Sequence, residues 1–345
     1  MQTQHLFSSA DIPTVAAIEH AAAIIRRGGL VAFPTETVYG LGANGLDALA
    51  VRKIFAAKQR PSTDPLILHV AHWSQFAKVA DLRGVETIVA TLAAAFMPGA
   101  LTLVLPKLAC VPADVTANGP SVAVRVPAHP VALALIEASG TPIAAPSANL
   151  FSRPSPTTAQ LVLDDLDGRI DAVLDAGSTR IGVESTILNL CQLPTLLRPG
   201  GVALEAIEAV IGEVLLPNEA VLSADHAQPA PGMLLKHYSP RARMLLLADD
   251  ANVESIAQQF RHERLGLLLP SASMARVQSL AAVRFDLGHT AETMAAGLFK
   301  GMRELDQAGC THILTHQLPP NGLGRAINDR LYRAAEGRVI TGPAS

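Results

Sequence analysis

The sequence predicts an α/β or α+β chain in two domains, one large mixed sheet followed by a small parallel one. Three observations carry that expectation. Of the 345 residues, 49% are apolar and only 4% aromatic, a composition that suits helices packed over a sheet better than a β-sandwich. Helix-period and strand-like runs alternate through the first 216 residues, and several strands lie too close together for helical crossovers, so mixed pairing is expected. The length accommodates two domains of roughly 100–200 residues each.

In chain order, residues 13–27 read as an amphipathic helix stopped by Gly28-Gly29. Leu30 to Phe33 reads as a short buried strand halted by Pro34, followed by a loop. Ala48 to Lys58 reads as a second helix, Leu66 to Val70 as an apolar strand and 84–96 as another helix. Strand-like runs follow at 101–105, 122–126, 142–145, 172–174 and 186–190. From Pro217 to Pro240 the periodicity stops, and prolines and small polar residues mark an interdomain linker. Beyond it, strands at 244–247, 265–269 and 312–314 alternate with helices at 252–262, 290–307 and 323–335, the βαβ rhythm of a parallel sheet. The expected division is therefore 1–216, 217–240 and 241–345.

Charge and cysteine content exclude several classes. Formal net charge is −3, and residues 1–240 carry more Asp and Glu than Lys and Arg, so neither part has the footprint of a phosphate-backbone binder. Direct tRNA binding is expected to be weak or absent. No apolar run reaches the roughly 18–20 residues that a membrane helix needs. Cys110, Cys191 and Cys310 are far apart and form no zinc-type spacing, which fits reduced thiols in a cytoplasmic protein. The start has no basic region followed by an apolar run, so a secretory signal is not expected.

Several segments concentrate chemistry. The stretch Pro34-Thr-Glu-Thr-Val-Tyr-Gly-Leu-Gly-Ala43 gathers two hydroxyls, a carboxylate and a phenol at a strand end, where open α/β sheets place binding groups. It contains a GxGxxG match, Gly40 to Gly45, but the glycines begin too far past the strand to seat a pyrophosphate on a helix N-terminus. Lys58 and Arg60 flank Gln59 at the end of a helix, and two such cations can face a triphosphate together or simply favour the helix C-terminus. Arg125 stands in the apolar run Ser121-Val-Ala-Val-Arg125, and a buried guanidinium must meet a carboxylate, either the protein's or a ligand's. Ala145-Pro-Ser147-Ala-Asn149, Gly182-Val-Glu184-Ser185 and Leu197-Arg198-Pro-Gly-Gly201 offer small residues with exposed amides and hydroxyls suited to a phosphate or adenosine.

Together these segments resemble the threonylcarbamoyl-AMP synthase family in its long form, with a YrdC-like domain first. The matching motifs are PTETVYGLGA, KQRP…PLILHV, MPGALTLVL, SVAVRVPAHP, APSAN, GVESTI, LRPG and APGMLLKHYSP, in order over residues 30–240. The resemblance implies an open twisted mixed sheet with a concave positive cleft, then a small Rossmann-like domain. It implies that Thr37, His69, Arg125 and Ser185 hold L-threonine, with Arg125 on its carboxylate. It assigns Arg60, Asp64, Ser121, Ala145, Ser147, Asn149, Arg198 and Tyr238 to ATP, and makes Lys58 and Arg60 phosphate stabilisers. Tyr238 belongs to the 217–240 segment, which in this family folds over the site as a lid.

The activity implied is synthesis of L-threonylcarbamoyladenylate and pyrophosphate from L-threonine, bicarbonate or CO2, and ATP with Mg²⁺. No covalent protein nucleophile is required, and no metal site made by the protein alone is expected. The product would serve threonylcarbamoylation of adenosine 37 in tRNAs decoding ANN codons, with a tRNA threonylcarbamoyl transferase as a possible downstream partner. Two departures stand out: Asp64 where the family often has Asn, and Gln59 where Gly is usual. Asp64 among phosphate-binding groups needs a cation such as Lys58 or Arg60, or a role toward Mg²⁺. The alternative from another class is an RNA-binding module for tRNA without synthase activity. It has against it the acidic balance of residues 1–240 and the lack of an RRM-type aromatic pair or a KH-type clamp.

Overall fold

The computed structural model describes residues 2–216 and 237–341. The expected linker and lid falls mostly on 217–236, outside the described residues. Two compact units divide the chain, the first comprising Met1–Phe151, Ser155–Arg180 and Glu184–Leu234, the second Ser152–Pro154, Ile181–Val183 and Leu235–Ser345.

In the first unit the strands are β1 (Gln4–Phe7), β2 (Val31–Pro34), β3 (Tyr39–Asn44), β4 (Ile67–His69), β5 (Leu101–Pro106), β6 (Ser121–Arg125), β7 (Ile143–Ala144), β8 (Ala172–Asp175), β9 (Thr186–Asn189) and β10 (Thr195–Arg198). Among the described residues they form one ten-stranded sheet in the order β1-β8-β2-β3-β7-β4-β6-β5-β9-β10. Pairing is mixed: β4 runs parallel to β6, whereas β5 and β6 are antiparallel. The helices are α1 (Val15–Arg26), α2 (Ala48–Lys58), α3 (Glu86–Phe96), α4 (Pro130–Ser139), α5 (Ala159–Leu166) and α6 (Leu204–Ile211).

Period-two alternation sorts the strand residues onto two faces. On one face Ala32, Leu41, Leu68, Val124, Leu103 and Leu188 join α2, α3, α5 and α6 in the main core. On the other, Val31, Phe33, Ile143 and Leu174 are covered by α1 and α4. Further along that second face, Ile67, Val104, Ala123 and Ile187 form a small apolar cluster built from sheet residues alone. His69, Arg125, Thr102 and Ser185 share the parity of this cluster, so the polar groups collect where the cover of α1 and α4 ends.

The stretch expected as a loop after Pro34 is the turn and second strand of a hairpin. β2 and β3 pair antiparallel from Val31↔Gly42 to Pro34↔Tyr39. The glycine-rich composition hides this strand, because its stability comes from neighbouring strands rather than local preference. A Cβ at Gly42 would lie 2.8 Å from both Ile143 and Phe33, so this glycine serves close packing within the sheet. Tyr39, fully buried, donates its hydroxyl to the Gly177 carbonyl at 2.7 Å.

The second unit contains β11 (Arg243–Leu247), α7 (Val253–Gln259), β12 (Leu265–Leu269), α8 (Ser271–Arg276), β13 (Val283–Asp286), α9 (Ala291–Gln307), β14 (His312–His316), α10 (Leu323–Ala334) and β15 (Val339–Ile340). Its five strands, in the order β13-β12-β14-β11-β15, are parallel throughout. Within this unit Arg303 donates to the Pro154 carbonyl from Nε (3.1 Å) and Nη2 (2.5 Å). Among the described residues no helix is long and apolar enough to cross a membrane.

Candidate active site

Arg125 ends β6, beside His69 at the end of β4 and opposite Thr102 on β5. Its guanidinium is 3% exposed at the residue level, so its partners decide whether it can be there at all. Nη2 donates to Glu36 Oε1 at 2.6 Å and to Thr37 Oγ1 at 3.1 Å, and Nε donates to the Gly99 carbonyl at 3.1 Å. The carboxylate that meets Arg125 inside the protein is therefore Glu36, whose other oxygen accepts from Ala128 N at 3.0 Å. Nη1 has no protein hydrogen bond among the described residues.

The turn between β2 and β3 supplies Thr37. Thr35 donates its hydroxyl to the Val38 carbonyl at 2.7 Å and accepts from Thr37 N at 3.2 Å, a side-chain-closed turn that fixes Glu36 and Thr37 against β6. The two threonine hydroxyls lie 2.7 Å apart.

His69 is buried, with its ring edge-on to Phe33 at 6.3 Å. Its Nδ1 is buried without a hydrogen-bond partner. Burial first, and then the neighbouring Arg125 charge, lower its pKa to about 3. The ring is thus a neutral imidazole that interacts with the backbone of Ile67 and Ile143, while its Nδ1 makes no well-formed hydrogen bond.

Ser185 precedes β9, and its hydroxyl lies 2.7 Å from that of Thr102. Arg198, on β10, donates from Nε (3.2 Å) and Nη2 (2.9 Å) to the Ser185 carbonyl, and from Nη2 to the Ser185 hydroxyl at 3.3 Å. The turn after β10 must pass very close to this segment. A Cβ at Gly200 would lie 2.3 Å from both Ser185 C and Thr186 N.

A second set of polar groups surrounds the 145–149 segment. Ala145 N donates to the Ile67 carbonyl at 3.0 Å, and Gly40 bridges Ser147. Lys58, 1% exposed, donates from Nζ to the carbonyls of Ser147 (2.6 Å) and Asn149 (2.5 Å). The ammonium thereby clasps the segment expected to bind ATP. Asn149 donates its amide to the Leu150 carbonyl at 2.7 Å.

Asp64 meets the cation its position demands: Arg60 Nη2 lies 2.9 Å from Asp64 Oδ2, both groups being buried. Arg60 also donates to the carbonyls of Asp64 (3.1 Å) and Pro65 (2.8 Å). Gln59, between the two cations, has φ 54 and ψ 41 and is the left-handed C-cap of α2. That conformation explains why glycine suits this position.

Ser121 shares the face of Arg125 but starts the strand, about 13 Å away at the usual rise of a β-strand. Ala123 of the apolar cluster lies between them. Tyr238 belongs to the second unit, where its ring stacks on Phe299 at 5.3 Å and lies 5.3 Å beneath the Arg330 guanidinium.

Sequence reasoning assigned no role to Glu36, Thr102 or the pair in which Ser155 donates to Glu184 at 2.5 Å. Thr102 carried a signal, a lone hydroxyl inside the apolar run Leu101-Thr-Leu-Val-Leu105. Among the described residues no group of three or more His, Cys, Asp or Glu side chains could hold a metal ion. The nearby carboxylates of Glu36 and Asp64 face guanidinium groups. This cationic, hydroxyl-rich donor set fits a divalent ion carried on a nucleotide's phosphates.

Comparison with known proteins points the same way as the geometry. Residues 23–200 match the family model of Sua5, YciO and YrdC proteins described as telomere recombination. Residues 202–336 match the model described as threonylcarbamoyl-AMP synthase, C-terminal domain. The threonylcarbamoyl-AMP synthase of Pyrococcus abyssi is 44% identical over 330 residues, covering 94% of this chain and 95% of the relative. That of Bacillus subtilis is 46% identical over 332 residues, covering 94% of each. The crystal structure of P. abyssi Sua5 complexed with L-threonine superposes with a TM-score of 0.91 at 42% identity, over 99% of this chain and 100% of that one. The chain belongs to the threonylcarbamoyl-AMP synthase family.

Proposed function

We propose that this chain makes L-threonylcarbamoyladenylate and pyrophosphate from L-threonine, bicarbonate or CO2, and ATP, using the cluster around Arg125 as the threonine pocket. One observation carries the assignment of the pocket. A buried arginine held by Glu36 and Gly99 keeps Nη1 for a ligand, next to the neutral ring of His69. An α-amino acid offers a carboxylate to the first and polar groups to the second.

In the reaction the threonine nitrogen bonds to carbon dioxide and loses a proton, giving an N-carboxylate. An oxygen of that group attacks the α-phosphorus, the bond from the α-phosphorus to the β-phosphate oxygen breaks, and pyrophosphate leaves. Thr37, His69, Arg125 and Ser185 hold the amino acid. Arg60, Asp64, Ser121, Ala145, Ser147, Asn149 and Arg198 form the nucleotide side. Lys58 shapes the 145–149 segment toward it, and Lys58 and Arg60 lend positive potential to the phosphates. Mg²⁺ would arrive on the triphosphate and neutralise part of its charge. Orientation alone can lower such a barrier by about 7–11 kcal/mol in favourable cases.

The same reading divides the chain into a catalytic part, 1–216, a lid, 217–240, and a small C-terminal domain, 241–345. It places the reaction in the cytosol, where the three unpaired cysteines stay reduced. The adenylate then feeds a transferase that modifies adenosine 37 of tRNA. The test is pyrophosphate release from the purified protein with ATP, Mg²⁺ and bicarbonate. Release that requires L-threonine and bicarbonate supports the reading; release independent of threonine overturns it.

A further inference from the structure

The roles above leave Glu36 without a task, although it is the closest charged neighbour of the arginine they depend on. Its carboxylate is buried and uses both oxygens as acceptors, Oε1 for Arg125 Nη2 at 2.6 Å and Oε2 for Ala128 N at 3.0 Å. The Gly99 carbonyl accepts from Nε of the same guanidinium at 3.1 Å. With Nε and Nη2 fixed, the planar fork of Arg125 has a single remaining edge, and Nη1 lies on it.

We propose that Glu36 is a positioning residue for the amino-acid substrate, aiming Arg125 so that Nη1 meets the substrate carboxylate. The proposal rests on the threonine-pocket reading. The task needs a carboxylate because two donors converge on it from different sides. A carboxamide in its place offers one oxygen and one NH2. With the oxygen on Arg125, its NH2 faces the Ala128 N–H, donor against donor; with the oxygen on Ala128, its NH2 faces the guanidinium. Either way one contact is lost and the guanidinium is freed to turn. An aspartate keeps both acceptors but is one methylene short of reaching them.

Pyrophosphate release, with KM measured separately for threonine and ATP, tests this in Glu36→Gln and Glu36→Asp. The expected result is a threonine KM raised at least tenfold in Glu36→Gln, an ATP KM within twofold of wild type, and an intermediate threonine KM in Glu36→Asp. Calorimetric titration of threonine without ATP should show the same order, and it reads binding even in a variant that turns over poorly. An unchanged threonine KM in a folded Glu36→Gln protein overturns the proposal. So does an equal loss in threonine binding, ATP binding and turnover, which marks a general packing defect. A wild-type protein that neither binds threonine nor needs it for pyrophosphate release overturns the underlying reading instead.

Discussion

Arg125 and His69 show how two adjacent strand ends are made both costly and useful. Removing either member of the buried Arg125–Glu36 pair would leave an uncompensated charge, at a cost of about 3–5 kcal/mol. Arg125→Lys keeps the charge and loses the planar fork. It should raise the threonine KM by roughly 10–100-fold, about 1.4–2.8 kcal/mol, and leave the ATP KM nearly unchanged in steady-state assays. His69 gives a pH prediction. Its pKa is lowered to about 3 in the folded protein, against about 6.5 unfolded. Between those values the unfolded chain binds the extra proton, so stability is greatest above 6.5 and falls as pH drops. From pH 6.5 to 5 this ring should remove about 1.5–2 kcal/mol. Urea unfolding of His69→Gln at the two pH values should show a loss smaller than wild type by that amount; an equal loss would mean the imidazole is charged in the fold. At this scale the sequence exposed Arg125 as a charge in an apolar run. It left open whose carboxylate would answer, because Glu36 lies 89 residues away in the chain.

The second helix and the turn after β10 carry the element-scale predictions. Asp47 caps α2 by accepting from Leu49 N and Ala50 N, and the helix ends with Gln59 in the left-handed region. A non-glycine residue there costs about 1–2 kcal/mol, partly offset in glycine by its freedom in the unfolded chain. Gln59→Gly should therefore stabilise the protein by roughly 0.5–1 kcal/mol, read as a raised urea midpoint with unchanged slope. Gly200→Ala should do the opposite, because its Cβ would meet backbone atoms 2.3 Å away that cannot step aside. The strain pushes on Ser185, so threonine affinity should fall together with the thermal midpoint. Some helices were legible at this scale, Ala48 to Lys58 matching α2 to the residue, whereas α4, α5 and α6 were not expected. The strand β3 was not, because Thr, Gly and Pro-rich stretches read as turns until β2 and β7 supply their hydrogen bonds.

For the whole molecule, each unit closes its own core. The main clusters of the first unit draw on residues 17–214, and the chief cluster of the second on 245–340. A chain ending at residue 216 should thus unfold cooperatively and still bind threonine by calorimetry, while pyrophosphate release falls at least tenfold without the 217–345 portion. Full activity in the shortened protein would remove the lid and the C-terminal domain from the mechanism. The alternation of helix and strand, the mixed pairing of the large sheet, the parallel rhythm of the small one and the family motifs were determined by local pattern, since hydrophobic period and turn chemistry act over a few residues, whereas β1, α4, α5, α6, β10, α8, β13 and β15 were not expected from it. Strand order, the partner of Arg125 and the carbonyl clasp of Lys58 were decided only by the tertiary structure. Each depends on which distant segments the sheet brings within hydrogen-bond reach, and a contact between residues far apart in sequence leaves no periodic trace in either segment.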